Sequence, residues 1–263
     1  MRGFAFAWAI SLAVAAPAEA AAPVRAASLN LCTDELLLLL GAPRQIVSVT
    51  HLAQSPAETP LWRAARRYGR NDGSLVSVVG LRPNLVLTMG GGARDRVRIA
   101  QRLRLKILDL PYPQTLGDIE ASVRSVGAAL GNPGRAAATV EAMRRLRRAM
   151  PAGAADTIWL GGGGRSVGAQ SLAAQWMRLA GLRQRPLRGD RVGLEQLLAA
   201  PPKVLLRSDY RSGEYSGEQR WLAHPLAQMT RAGRALRTDG RLWTCMGPLM
   251  VAEIARLRTE AAR

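Results

Sequence analysis

The chain is poor in the residues that most often build compact chemical centres. Its 263 residues include two Cys, two His and two Phe. That supply is too small for a multi-metal zinc cluster or a multi-bridge disulfide scaffold. Acid is scarce as well, with 19 Asp and Glu against 37 Lys and Arg, for a formal net charge of +18. Lysine is nearly missing, because Lys106 and Lys203 are the only two and every other basic side chain is Arg. With so much Ala and Gly beside it, this arginine excess fits coding bias as well as it fits function. It reads either as a solvated surface or as the complement of a negatively charged partner, namely nucleic acid, lipid headgroups or an anionic small molecule. Long apolar runs are also lacking. The run from Phe4 to Ala16 is too short to span a bilayer, and no later segment approaches the ~20 consecutive apolar residues a span requires. The rest is ordinary: 48% hydrophobic and 21% charged residues argue for a globular chain rather than a disordered, collagen-like or polytopic one. The length allows one large domain or two smaller lobes.

Residues 1–22 read as a cleaved secretory signal. Arg2 precedes the apolar run, and both Ala18-x-Ala20 and Ala20-x-Ala22 fit the small-residue cleavage pattern. No Cys lies nearby to accept a lipid. The mature chain is therefore expected to be exported and soluble, which speaks against nucleic acid as the partner of the basic charge.

The remaining sequence has two halves with one rhythm. Strand-like runs at 45–49, 85–88 and 106–110 alternate with helical patterns at 33–40, 93–103 and 116–130. Continuous apolar runs suit strands buried on both faces, and the alternation predicts a parallel α/β arrangement. Gly131-Asn132-Pro133-Gly134 breaks the pattern, and one long helix follows over 135–150. The theme then returns with strands at 157–160 and 204–206 and helices at 172–180, 194–200 and 249–262. In open α/β sheets ligands bind beyond the carboxyl ends of the strands. Those ends carry the loops near Met89, Gly161, Asp209 and Trp243.

At this point the ordered motifs resemble a known family. Leu81-Arg82-Pro83-Asn84-Leu85-Val86-Leu87 is similar to the "L-K/R-P-D-L-V" segment of the helical-backbone periplasmic binding proteins, receptors of ABC importers for ferric siderophores, haem and cobalamin. Ala27-Ser28-Leu29, the step from Gly41 to Val49, the segment Leu103 to Leu108, the helix 133–150 and Leu194-Glu195-Gln196-Leu197-Leu198 with Pro202 fall in the same order. The resemblance implies two Rossmann-like lobes with parallel sheets, residues 23–132 and 151–263, joined by a linking helix at 133–150 with a ligand cleft between them. It implies a periplasmic monomer that delivers a small-molecule metal complex to permease subunits, performs no covalent chemistry, holds no cofactor or metal of its own, and meets the membrane only through the permease. Glu195 falls on the second-lobe docking position. On the first lobe that position is Val76, and Asp72 is the nearest acid. The implied ligand-binding set is Asn30, Cys32, His51, Met89, Gly90 and Arg94 on the first lobe. On the second it is Gly163, Arg165, Tyr210, Arg211, Trp243 and Cys245. Arginines would serve anionic oxygens, aromatics a planar ligand, and His51 a metal centre.

Three features leave alternatives open. Gly164-Arg165-Ser166-Val167-Gly168 matches the G-x-S-x-G nucleophile elbow, with Asp190 or Asp209 and then His224 in Ser–acid–His order. That pattern defines the rival reading, a secreted serine hydrolase. Gly90-Gly91-Gly92 is similar to a phosphate loop but lacks the flanking signature of a nucleotide site. Cys32 and Cys245, placed on opposite lobes by the resemblance, are either a disulfide, two free thiols or ligands to a metal-bearing cargo.

Overall fold

The structure, a computed structural model, describes residues 22–91, 99–100, 102–103, 105–228 and 233–262. Residues 1–21 of the expected signal, Arg94 and most of the helix expected over 93–103 lie outside the described residues.

The first sheet holds β1 (Ala26–Ser28), β2 (Ile46–Thr50), β3 (Gly69–Asn71), β4 (Leu85–Met89) and β5 (Lys106–Leu110) in the order β3-β2-β1-β4-β5. The second holds β6 (Ala155–Leu160), β7 (Leu182–Gln184), β8 (Val204–Ser208) and β9 (Arg234–Thr238) in the order β7-β6-β8-β9. Every pairing is parallel. Both faces of each sheet are covered, which is why the central strands set apolar side chains on both faces. In β4, Leu85, Leu87 and Met89 point into the main core while Val86 packs with Ala27, Leu75 and Val78 on the opposite face. In β8, Val204 and Leu206 face the main core and Leu205 packs with Ile158, Leu160 and Leu222.

Local chemistry sets the helix limits. The helix α1 (Leu31–Leu40) begins where the Asn30 side chain accepts the Cys32 N–H at 2.9 Å, a side-chain cap for an otherwise orphaned donor. Short helices α2 (Trp62–Ala65) and α3 (Val76–Val79) follow. The helix α4 (Leu116–Ala129) opens on a capping box between Thr115 and Asp118. The linking helix α5 (Pro133–Arg148) begins with proline, whose missing N–H costs nothing in a first turn. It buries Ala136, Val140, Met143 and Leu146 and sets three arginines in its last turn, where the helix dipole favours cations. Then come α6 (Leu172–Leu179), α7 (Leu194–Ala199), α8 (Gly217–Ala223), α9 (Pro225–Gln228), α10 (Leu242–Cys245) and α11 (Met250–Ala261). One apolar cluster runs from α1 through α4 and α5 to α6, α10 and α11, so the two sheets are separate but share a core behind them.

Candidate binding site at the interlobe seam

Residues just beyond the carboxyl ends of the strands meet across a seam between the lobes, and they do so in two layers. The floor is covalent. Cys32, at the start of α1, is bonded to Cys245, at the end of α10, with Cα atoms 5.1 Å apart across a sequence separation of 213. Around the bond lie Glu35, Leu36, Met89, Ile119 and Pro248, enclosing a cavity of about 20 Å³. Gln175 of α6 reinforces the join, accepting the Leu116 N–H at 3.3 Å and donating to the Gln114 carbonyl at 3.0 Å.

The rim is polar. The loop after β2 carries Glu58, which is buried at 6% exposure. Its carboxylate accepts the Tyr210 hydroxyl at 2.9 Å and the Arg211 guanidinium, both from the loop after β8. Arg241, just after β9, donates to the Pro56 carbonyl at 3.0 Å. Arg211 also pairs with Glu214 and stands 5.4 Å from the Tyr210 ring centre. Burial raises the Tyr210 hydroxyl above its ordinary pKa, and hydrogen bonds with Tyr210 and Glu58 hold Arg211 firmly charged. Beside these contacts lies a recess of about 460 Å³ lined by Ala57, Arg211, Asp239 and Arg241 among others. Its size falls within the range of small-molecule sites.

One buried carboxylate connects floor to rim, and a second lies next to it in the chain. Glu35 accepts the Thr59 hydroxyl at 2.8 Å, next to Glu58 in the same loop. Asp34 accepts the Thr50 N–H at 3.1 Å and the Thr50 hydroxyl at 2.5 Å. Burial pushes each of them up to about 7, because a charged carboxylate there would lose its water.

The other expected site residues fall into groups. Gly90 is exposed at the end of β4 with φ +95°, and an added Cβ would come within 2.3 Å of the Tyr112 ring. Tyr112 itself stands 60% exposed after β5. His51 is exposed after β2 and lines a separate recess of about 450 Å³ with Arg70, Asn71 and Asp72. Arg165 is exposed and lies 3.7 Å from Glu218 of α8, and the same Glu218 side chain leaves a Cβ on Gly163 only 3.2 Å of room. Asn30 is occupied as the α1 cap, Met89 is buried, and both cysteines are bonded, so neither thiol is free to ligate a metal. Trp243 ends no strand. It lies within α10 at 7% exposure, donates to the Thr238 hydroxyl at 2.7 Å and packs on Trp159 at 5.8 Å, offering no open face for stacking. Of the expected docking acids, Glu195 is exposed in the first turn of α7. Asp72 is exposed and accepts the Ser74 N–H at 2.8 Å; bonding to Ser74 holds its carboxyl down at about 2. Val76 is 79% exposed. Glu58 and Tyr112 carry no motif that would have singled them out.

The G-x-S-x-G segment is not an elbow. Ser166 lies well beyond the end of β6 and before α6 begins, in an isolated antiparallel bridge region beside Arg165 and Arg191. Its hydroxyl donates to the Trp159 carbonyl at 2.6 Å and accepts from Gln184 at 3.3 Å. His224 is exposed, and its Nδ1 accepts the Leu226 N–H at 3.2 Å. A serine whose proton is held by a main-chain carbonyl, with the histidine engaged as a local cap, lacks the base that activates a nucleophile.

Residues 27–237 match the family model described as periplasmic binding protein. The chain belongs to that family. No curated protein matches this periplasmic binding protein significantly. Among solved structures it is similar to the periplasmic haem-binding protein BhuT in complex with two haems, at 21% identity and TM-score 0.67 over 90% of this chain and 97% of that one. It is similar to a periplasmic haem-binding protein from Pseudomonas aeruginosa at 22% identity and TM-score 0.66, covering 91% and 92%. A third is the siderophore-binding protein BauB, bound to a complex of two acinetobactin molecules and ferric iron, at 14% identity and TM-score 0.68, covering 90% and 93%. These likenesses establish the two-lobe fold, and both the family and these structures are binding proteins. No helix among the described residues is long and apolar enough to cross a membrane.

Proposed function

We propose that this periplasmic binding protein receives a metal complex of the ferric siderophore, haem or cobalamin class at the interlobe rim and delivers it to an ABC import permease. The observation that carries this reading is the pairing of a covalent floor with a polar rim. The lobes are held at a set distance by Cys32–Cys245, while Tyr210 and Arg211 meet Glu58 through contacts that a cargo's own oxygens are able to replace. Tyr112, His51 and Arg165 stand exposed beyond the strand ends and supply aromatic, imidazole and guanidinium contacts. The matched family and the haem- and siderophore-bound relatives support this cargo class.

In this reading residues 1–22 are removed on export, 23–132 and 151–263 are the two jaws, and 133–150 is their link. Glu195 and Asp72, both exposed carboxylates, face the permease, and the protein works as a monomer without a resident cofactor. Asp72 rather than the exposed apolar Val76 carries the first-lobe charge.

The test is a titration of the oxidised protein, followed by tryptophan fluorescence, with a ferric tris-catecholate, a ferric hydroxamate, haem and cobalamin. Saturable quenching by one class at micromolar or tighter concentration is expected. A flat response to all four removes the reading.

A further inference from the structure

A concentration of unmatched charge lies in the second lobe. Arg207 of β8 and Arg237 of β9 are register partners on neighbouring parallel strands. Side chains opposite one another share a sheet face. Leu205, two residues before Arg207 and so on that same face, packs against Leu222. Two like charges set side by side repel, yet neither arginine forms an ion pair among the described residues. One Arg207 amino group donates to the Leu222 carbonyl at 3.1 Å, while its Nε is buried without a hydrogen-bond partner. A buried charged donor left without an acceptor is costly. Burial, and after it the neighbouring Arg237, lowers the Arg207 pKa from its ordinary value.

Both arginines line a recess of about 210 Å³ together with Ser208, Asp209, Ser212 and Gln219. Asp209 is the one carboxylate in that lining, and it is turned to Gly240, accepting its N–H at 2.8 Å. The Gln219 amide nitrogen is spent on the Tyr210 carbonyl at 3.0 Å. The recess opens at the carboxyl end of β8 and β9, where α/β sheets place their ligands. It also shares Asp209 and Ser212 with the larger rim recess.

We propose that Arg207 and Arg237 form a binding site for an oxyanion of the phosphate, sulfate or carboxylate class. An anion there would receive forked charge-assisted donors from two guanidiniums and relieve their mutual repulsion. Free inorganic phosphate and an acidic arm of a cargo seated at the rim share this chemistry. The phosphate source requires no assumption about the cargo.

The experiment uses the oxidised full chain and three variants, Arg207→Gln, Arg237→Gln and Arg183→Gln. Arg183 is exposed on β7, at the opposite edge of the same sheet, and matches the change in charge. Thermal unfolding in phosphate is compared with chloride at equal ionic strength. The expected result is a higher midpoint in phosphate for the parent and for Arg183→Gln, with apparent affinity weakened at least about tenfold in the other two variants. Arg237 is exposed, so its variant remains informative should Arg207→Gln fail to fold. A second arm titrates the same proteins with an anionic ferric tris-catecholate and a neutral ferric hydroxamate. Without a phosphate effect, weakening confined to the anionic complex in the Arg207 and Arg237 variants assigns the site to the cargo's acid group. No phosphate effect together with unchanged or absent binding of the anionic complex overturns the proposal. A phosphate effect without any metal-complex binding would keep the site and remove the cargo reading instead.

Discussion

At the floor of the seam Cys32 and Cys245 are joined covalently beside Leu36, Met89 and Ile119; at the rim Glu58 meets Tyr210 and Arg211 through hydrogen bonds and charge. The two layers join the same lobes, but they answer to different conditions. The floor, being a disulfide, depends on redox state. The rim contacts are partly solvated, and in the proposed reading an incoming anion would compete with them. On that reading the disulfide keeps the lobes in register while the rim exchanges one set of oxygens for another.

The largest effect should come from cutting the floor. Replacing Cys32 and Cys245 by Ser frees a loop of 213 residues, whose closure entropy in the unfolded chain corresponds to ~5 kcal/mol, of which disulfides typically deliver about 2–4 kcal/mol. Denaturant unfolding should show that loss, and reduction of the parent protein should reproduce it. A loss below about 1 kcal/mol would mean that the shared core alone holds the lobes.

Next in size is the acid that connects the layers. Glu35 has a folded pKa near 7, above the usual carboxylate range. The folded state therefore binds its proton more tightly than the unfolded state does. Its stability is full below about pH 4 and is lost as pH rises toward and through 7. Asp34 acts in the same direction. Glu35→Gln, which keeps an acceptor for Thr59, should gain about 2 kcal/mol more at pH 8 than at pH 5 relative to the parent. Melting curves at the two pH values would measure it, and an equal effect at both would contradict the buried, proton-holding role.

Cutting the rim should cost less. Glu58→Ala leaves the Tyr210 hydroxyl without its partner and Arg211 with Glu214 alone. The expected loss is about 1–2 kcal/mol, because Arg211 is partly solvated. A loss as large as that from the cysteine variants would erase the distinction between floor and rim. Smallest is Gly90→Ala, which combines a positive φ with displacement of Tyr112 and should cost about 1 kcal/mol.

The same contrast explains what the sequence made legible. Strands covered on both faces declare themselves by apolar runs, and β2, β4, β6 and β8, together with the edge strand β5, fall on segments read as strands. The remaining edge strands escape that logic. Gly69-Arg70-Asn71, Leu182-Arg183-Gln184 and Arg234 to Thr238 each present polar side chains to solvent, so no apolar run marks them. Trp243 was expected to end a strand, yet it lies in a helical turn because the chain after β9 turns at once to place Cys245 against Cys32. The thiols themselves were visible, but their pairing was not, since it depends on how two distant lobes meet. Glu58 was invisible for the same reason: its partners lie more than 150 residues away. The G-x-S-x-G pattern misled because it records glycines needed for a tight turn, as at Gly164 with φ +76°, where a Cβ would meet the Val192 carbonyl at 2.5 Å.

Hydrogen exchange with and without the metal complex that quenches tryptophan fluorescence tests the central claim most directly. Slowed exchange on both sides of the rim, at 51–59 and 209–214, with no change around Cys32 and Cys245, is the predicted result. Protection confined to one lobe, or quenching by none of the four complexes, would contradict it.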